Sequence, residues 1–360
     1  MTDDASAQFW ESPFGIASKQ KQKILTHRLR ELTALHEQRC APYGRILASR
    51  ARPVGDDTGI DAIPFIPVRL FKQYELRSIA QEDVFKVLTS SGTTSQVPSR
   101  IFLDRETATA QTKALVRILQ DFLGKERRPM LLADTSGAVA SRQSFSARGA
   151  GIIGISSFGR DHVYALNEAM EPDLVAIETF AEKHGGSQPL VFGFTFMVWE
   201  YLVEALRRKS VTLKMNGVLL HSGGWKKLID RQVDASTFKS GVTAVLGIRQ
   251  VHNFYGMVEQ VGTIFVECEQ GVLHAPALAD VIVRDPLDWH PLAVGETGVL
   301  QVLSMLPTSY PGHSLLTEDM GTILGEDDCP CGRLGRYFTV SGRIPAAELR
   351  GCSDTHVVLT

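Results

Sequence analysis

The sequence predicts an α/β protein, and three observations carry that assignment. Up to about residue 260, short apolar runs alternate with longer amphipathic segments, the pattern of buried strands joined by helices. Beyond that point the texture becomes β-branched runs separated by Gly, Pro and Asp, which reads as a mainly β subdomain. With 360 residues, 44% of them hydrophobic, the chain is also long enough for a large core and a second small domain.

Taken in order, KQKQKILTHRLRELTALHEQR from Lys19 to about Arg39 sets Ile24, Leu29, Leu32 and Leu35 near helical spacing and predicts an amphipathic helix on the core. Residues 62–70, AIPFIPVRL, hold two prolines and read as an extended link. The apolar run VFKVLTSSG follows, then the helical pattern TATAQTKALVRILQDFL, and then PMLLAD and GAGIIGI, both predicted as strands. FMVWEYLVEALRRK predicts a helix, while TIFVEC, DVIVRD and GVLQVLS predict strands. The expected organisation is an N-terminal helical segment (1–64), a main domain (65–341) whose β-rich part begins near 260, and a short tail (342–360).

A formal net charge of −2, with Lys and Arg spread evenly, argues against nucleic-acid binding. MTDDASAQFW lacks the basic and apolar regions of a secretory signal, and the most apolar stretch, Leu190 to Leu206, is interrupted by Glu200 and Glu204. The reading is a cytoplasmic protein without a membrane span, whose five cysteines stay reduced.

The chemistry concentrates in a few segments. Residues 87–100, VLTSSGTTSQVPSR, carry a β-branched strand into a loop of hydroxyls around Gly92 (Ser91, Thr93, Thr94 and Ser95 among them), with helix resuming near Glu106. Backbone N–H groups and hydroxyls in such a loop can cradle a triphosphate, although it lacks the Gly-Lys-Ser/Thr ending of a Walker loop. NFYGMVEQVGT places Glu259 just after Tyr255 and Gly256, where a carboxylate beside ATP is suited to Mg²⁺. VLLHSGGWKKL puts Gly223 and Gly224 after an apolar strand, where bare backbone can lie against a flat base. LLTEDMGTI sets Asp319 where it can accept from ribose hydroxyls.

The order SSGTT, GG, YGMVE and Asp-x-Gly resembles the adenylate-forming superfamily of acyl-CoA synthetases, luciferases and peptide-synthetase adenylation domains. SARGAGIIG, FGFTF, HSGGWKKL, YGMVEQVG, LPTSYPGHSLLTEDMG and AELRGC further resemble the LuxE-type acyl-protein synthetases of fatty-acid reductase systems, from about Phe65 to the C-terminus. The resemblance implies a large adenylate-forming domain with a β-rich subdomain. It implies ATP phosphates on Ser91, Gly92, Thr93, Thr94 and Ser95, adenine and Mg²⁺ at Tyr255, Gly256 and Glu259, and ribose at Asp319 and at Arg343 after Gly342. It also implies an acyl thioester on Cys352, for a carboxylic acid, a fatty acid by the resemblance, delivered to an acyl reductase or acyl carrier.

Two features depart from the superfamily. Its loop ends Pro-Lys, whereas this one ends Pro98-Ser99-Arg100. Only 17 residues follow Arg343 in this sequence, so the expectation is that the small C-terminal domain with its catalytic lysine is largely absent. Arg148, Lys226 or Lys227 are substitutes among which the sequence does not choose. His221 and Trp225 are read as shaping a pocket.

Cys268 and His274 in VECEQGVLH, with Cys329 and Cys331 in DCPCGR, supply the four soft ligands of a closed structural zinc site. Related phenylacetate-CoA-ligase-like proteins carry a similar CPCGR element. The alternative is unconnected thiols and a surface histidine. For the whole chain the alternatives are a ligase that acylates coenzyme A or a carrier protein, with Cys352 incidental, and a degenerate adenylate fold that serves as a binding subunit.

Overall fold

The structure, a computed structural model, describes residues 9–49, 59–90, 97–139, 147–225 and 231–344. The chain divides into two compact units. One runs to Ile118 and resumes over Gly256–Phe265 and from Val272; the other comprises Leu119–Tyr255 and the short Val266–Gly271 segment.

The first unit opens with helix α1 (Ser18–Arg39), which buries Lys21, Leu25, Leu29, Leu32 and His36. This stripe, stepping by four, four, three and four residues, follows the 3.6-residue turn. It corrects the expected one: Ile24 and Leu35 sit at its margin, half-buried. Leu25, Leu29 and Leu32 are fully buried, each stabilising the packed helix by about 1.5–3 kcal/mol. Lys21, equally buried, lies 3.5 Å from Asp280 and donates to the Ala275 carbonyl, so a cation within the apolar stripe is partnered. Helix α2 (Ala41–Ala48) follows, with Pro42 in its first turn. The link predicted over 62–70 contains strand β1 (Ile66–Pro67) and leads into α3 (Leu70–Gln73). Strands β2 (Lys86–Thr89) and β3 (Arg100–Leu103) form an antiparallel ribbon. Helix α4 (Arg105–Leu123) is started by Asp104, whose carboxylate accepts from the Thr107 N–H at 2.7 Å.

The second unit is a parallel sheet of β4 (Arg128–Leu132), β5 (Gly159–Tyr164), β6 (Leu190–Phe194), β7 (Val218–Ser222) and β8 (Gln250–Gly256), in the order β5-β4-β6-β7-β8. The central strands β4, β6 and β7 are nearly continuous buried apolar runs, as expected where helices cover both faces of a parallel sheet. Between β4 and β5 the segment predicted as a strand, GAGIIGI, is helix α5 (Ala147–Ser156). Ile152 and Ile155 are buried while Ile153 is exposed, so these isoleucines follow a helical period rather than filling a buried strand. Helix α6 (Leu174–His184) is capped by Asp173. The helical run α7 then passes from Thr195–Met197 through a π-helical stretch, Val198–Val203, to Glu204–Arg208. Helix α8 (Ala235–Leu246) is capped by Asp234 and closed by Gly247 at φ +76°, a left-handed end that favours glycine. Leu131, Val191, Leu219, Val198, Leu202, Val242 and Leu246 are completely buried in this unit's core.

After Gly256 the chain is predominantly strand: β9 (Ile264–Glu267), β10 (Leu273–His274), β11 (Ala279–Arg284), β12 (Thr297–Ser304), β13 (Ser314–Glu326) and β14 (Arg336–Arg343). Within the first unit the antiparallel order is β11-β12-β13-β14-β10, and β1 adds to β13 in parallel through Ile66 and Leu315. No described helix is long and apolar enough to cross a membrane.

Candidate functional site

In the parallel sheet, the sequence-predicted residues lie at the carboxyl ends of strands, where open α/β sheets bind ligands. Gly223 and Gly224 follow β7, Tyr255 and Gly256 end β8, and Thr195 follows β6. Gly223 has φ +84°, and a Cβ on it would come within 3.1 Å of the Phe194 ring. Backbone shape and space therefore both demand glycine there. His221 is buried, bonded through Nδ1 to the Thr195 hydroxyl at 2.9 Å, and packed on Phe238. Burial, aided by Lys239, pushes its pKa down to about 3, so it is neutral at physiological pH. Trp225 is buried edge-on against Trp199.

The first unit holds the acidic members. Ser91, Gly92, Thr93, Thr94 and Ser95 lie outside the described residues, but the feet of their loop are tied together. The Ser90 N–H donates to the Ser99 carbonyl at 3.1 Å, and the Ser99 N–H donates to the Ser90 hydroxyl at 2.9 Å. Thr89 pairs with Arg100 across the ribbon below. Ser99, at the position of the superfamily's lysine, is buried. Arg100 is exposed, placed over the Phe102 ring and 3.9 Å from Glu75, so its guanidinium is engaged there.

Glu259 occupies a single 3₁₀ turn, Val258–Gln260, and is buried at 7% exposure. Burial raises its pKa, opposed by the Ser99 hydroxyl and by the charge of Lys72. Its neighbour Gln260 donates to the carbonyls of Val302 at 3.0 Å and Gly312 at 2.8 Å, which fixes the turn. Ser99, Lys72 and Gln260 were not singled out from the sequence. Residue 99 stands out only as a departure from Pro-Lys, Gln260 lies inside YGMVEQVG with no role of its own there, and nothing in the local pattern marks Lys72.

Asp319 and Arg343 are partners in the β13–β14 register, with Nε 3.6 Å from Oδ1. The Asp319 N–H donates to the Thr317 hydroxyl at 3.1 Å, and that hydroxyl donates to the Leu300 carbonyl at 2.8 Å. Both residues predicted to meet the ribose thus stand on one piece of sheet.

The ligand atoms of Cys268, His274, Cys329 and Cys331 all lie within 4.8 Å of one another. Cys331 Sγ is 3.3 Å from His274 Nε2, and His274 is completely buried, which removes the alternative of a surface histidine. A tetrahedral zinc with these ligands has edges of about 3.5–3.8 Å, so the group fits that metal after a small contraction. Cys40 is buried at the start of α2. Cys352, Lys226 and Lys227 lie outside the described residues, and the side chain of Arg148 is not described.

Comparison with known proteins bears on the whole assembly. A sequence model of the acyl-protein synthetases of the LuxE type matches residues 4–358. The long-chain-fatty-acid–luciferin-component ligase of Aliivibrio fischeri is 23% identical over 96% of this chain and 91% of its own. The ligase of the same description from Vibrio harveyi is 24% identical over 38% of this chain and 35% of its own. An open form of 2-hydroxyisobutyryl-CoA ligase, crystallised with 2-HIB-AMP and CoA, superposes with a TM-score of 0.67 at 16% identity. It covers 93% of this chain and 77% of its own. The same ligase in the thioesterification state gives 0.66 over 93% and 70%. The fold is therefore that of the adenylate-forming ligases, and the chain belongs to the LuxE family of acyl-protein synthetases.

Proposed function

We propose that the protein activates a carboxylic acid with ATP as an acyl-adenylate and passes the acyl group to its own Cys352. The observation that carries the first half is the buried Glu259 turn beside the closed foot of the Ser/Thr loop, in a chain of this family. The carboxylate oxygen attacks the α-phosphorus while the bond to the departing pyrophosphate breaks. Mg²⁺, when bound, would offset charge on the phosphates, and Glu259 is the residue we assign to hold it. Asp319 accepts from the ribose hydroxyls and Arg343 holds Asp319 in place. The backbone of Gly223 and Gly224 lies against the adenine, with Tyr255 beside it.

The Cys352 thiolate then attacks the acyl carbon and AMP leaves, giving a thioester. The names of the relatives point to a long-chain fatty acid as substrate, and an acyl reductase or carrier is the expected recipient. Zinc, held by Cys268, His274, Cys329 and Cys331, is structural, because four protein ligands leave no open position. The localisation proposed is cytoplasmic. The test is ATP–pyrophosphate exchange on purified protein across a series of carboxylic acids. Acid-dependent exchange is expected, strongest for long chains; exchange with no acid of any length would overturn the reading.

A further inference from the structure

At the opposite ends of the parallel strands, away from the residues described above, the second unit contains a small cavity of about 230 Å³. It is lined by Lys125, Arg127, Arg128 and Arg160, with Glu126 as its one acidic side chain. The chain as a whole carries a formal net charge of −2, so this is a strong local concentration of positive charge.

The guanidinium groups are held by main-chain carbonyls. Arg127 Nε donates to Gly159 O at 2.8 Å, Arg128 Nε to Leu123 O at 2.9 Å, and Arg160 Nε to Arg127 O at 3.3 Å. Each of these bonds uses the inner nitrogen and orients the planar head; Arg128 Nη1 also donates to the Gln188 carbonyl at 3.4 Å. Arg160 also pairs with Asp161, but Arg127 and Arg128 have no ion pair among the described residues. Burial lowers the pKa of Arg128, the signature of a cation partly stripped of water.

One of these cations also serves a helix end. Arg128 satisfies a carbonyl at the C-terminal end of α4, where the helix dipole favours positive charge. Lys125, Arg127 and Arg160 stand exposed around the same cavity, and their mutual repulsion is not offset by a helix end, whereas a multiply charged anion offsets it. Oriented guanidinium forks suit tetrahedral oxyanions in particular, because they donate in parallel pairs.

We infer that this cavity binds a phosphate group, either as free phosphate or pyrophosphate or as the phosphate of a larger molecule. The site is separate from the acyl-activating residues, and the inference stands independently of the proposed reaction.

The test reads the site residue by residue in the full-length wild-type protein. Phenylglyoxal modification of Arg127, Arg128 and Arg160 is followed by peptide mass spectrometry. The probes are inorganic phosphate, pyrophosphate, adenosine 3′,5′-bisphosphate and, at equal ionic strength, sodium chloride. A phosphate compound at about 5 mM should slow modification of these arginines about six-fold relative to chloride, the protection given by a dissociation constant near 1 mM. Protection by all three phosphates identifies a free phosphate group as sufficient. Protection by the bisphosphate alone identifies the arm of a larger molecule. In the double variant Arg127→Gln, Arg160→Gln, protection of Arg128 should disappear. Equal rates in phosphate and chloride overturn the inference, and so does unchanged protection of Arg128 in the double variant.

Discussion

Asp319 Oδ1 lies 3.6 Å from Arg343 Nε, and the two residues are direct partners across the β13–β14 ladder. Their side chains meet because the strands run antiparallel in that register. The carboxylate therefore has a fixed cation behind it before any nucleotide arrives. Arg343 is 63% exposed, so the pair adds little to folding; exposed ion pairs contribute about 0–1 kcal/mol. Its value is in orientation.

Asp319→Asn should raise KM for ATP about ten-fold, the loss of one charge-assisted hydrogen bond to ribose. The melting temperature should move by no more than a degree or two. Arg343→Gln should give a smaller rise in KM, because it removes the support and leaves the acceptor. Pyrophosphate exchange at varied ATP, beside a thermal melt, measures both. A KM unchanged in Asp319→Asn would place the ribose elsewhere.

Glu259→Gln should depress exchange on the order of 10²-fold at limiting Mg²⁺. The wild type should also show a pH signature. Burial raises the Glu259 pKa, so its carboxyl takes up a proton at a higher pH than an ordinary glutamate. Protons and Mg²⁺ compete for the same oxygens, so the apparent KM for Mg²⁺ should climb as pH falls through that raised pKa. The Ser99 hydroxyl opposes the shift, so Ser99→Ala should move the climb to higher pH. Exchange in Glu259→Gln that matches wild type at low Mg²⁺ would remove the assignment.

Cys352→Ser should leave acid-dependent exchange near the wild-type rate and abolish stable, hydroxylamine-sensitive acyl labelling of the protein. Adenylation and thioester formation are separate half-reactions, and only the second uses the thiol. Labelling that persists in the variant would reassign the acceptor.

Two buried imidazoles give the fold an acid-sensitive point. His36 and His313 are stacked at 5.0 Å and completely buried. His36 bonds to the Ser78 hydroxyl at 2.8 Å and the Pro307 carbonyl at 3.2 Å, and His313 to the Thr33 hydroxyl at 2.9 Å. Desolvation lowers the His36 pKa from 6.5 to about 4 and holds that of His313 well below 6.5. Both are neutral in the folded state, while the unfolded chain binds protons below about pH 6.5. Stability is therefore full above that pH and lost as pH falls from 6.5 towards 4, by about 3 kcal/mol for His36 alone. Urea denaturation at pH 7, 6, 5 and 4 should show this slope, and His36→Gln should flatten it. Equal slopes in the two proteins would place the acid sensitivity in other groups.

Which parts were legible from sequence follows from which signals are local. Helix α1, the core strands and the order of nucleotide motifs come from periodicity and short motifs, and those survive in one dimension. The segment Gly149–Ile155 misled because a run of glycines and isoleucines reads as a strand until its burial is known, and Ile153 turns out to face solvent. Ser99 and Lys72 converge on Glu259 from two separate stretches of chain, so no local pattern could join them. The His36–His313 stack has the same origin, since its members are 277 positions apart in the sequence.

The Cys268, His274, Cys329 and Cys331 group yields the prediction that depends least on the family. The purified protein should hold about one zinc per chain. The alternative, a reduced cluster without metal, puts three thiols and an imidazole within 4.8 Å of one another with only Cys331 partly exposed. Ionised thiols at that spacing would repel, and neutral ones would gain little from such convergence, whereas a divalent cation stabilises the thiolates outright. Replacing any one ligand leaves three and should lower stability, because binding energy at such a site is also folding energy. Cys329→Ser and His274→Gln should therefore lose zinc and melt several degrees lower. Exchange activity measured well below the new melting temperature should be largely kept, because no ligand position is open to substrate. Elemental analysis of protein prepared without chelator decides the point. Metal far below one equivalent, together with free titration of Cys268, Cys329 and Cys331, would show that the cluster is only packing.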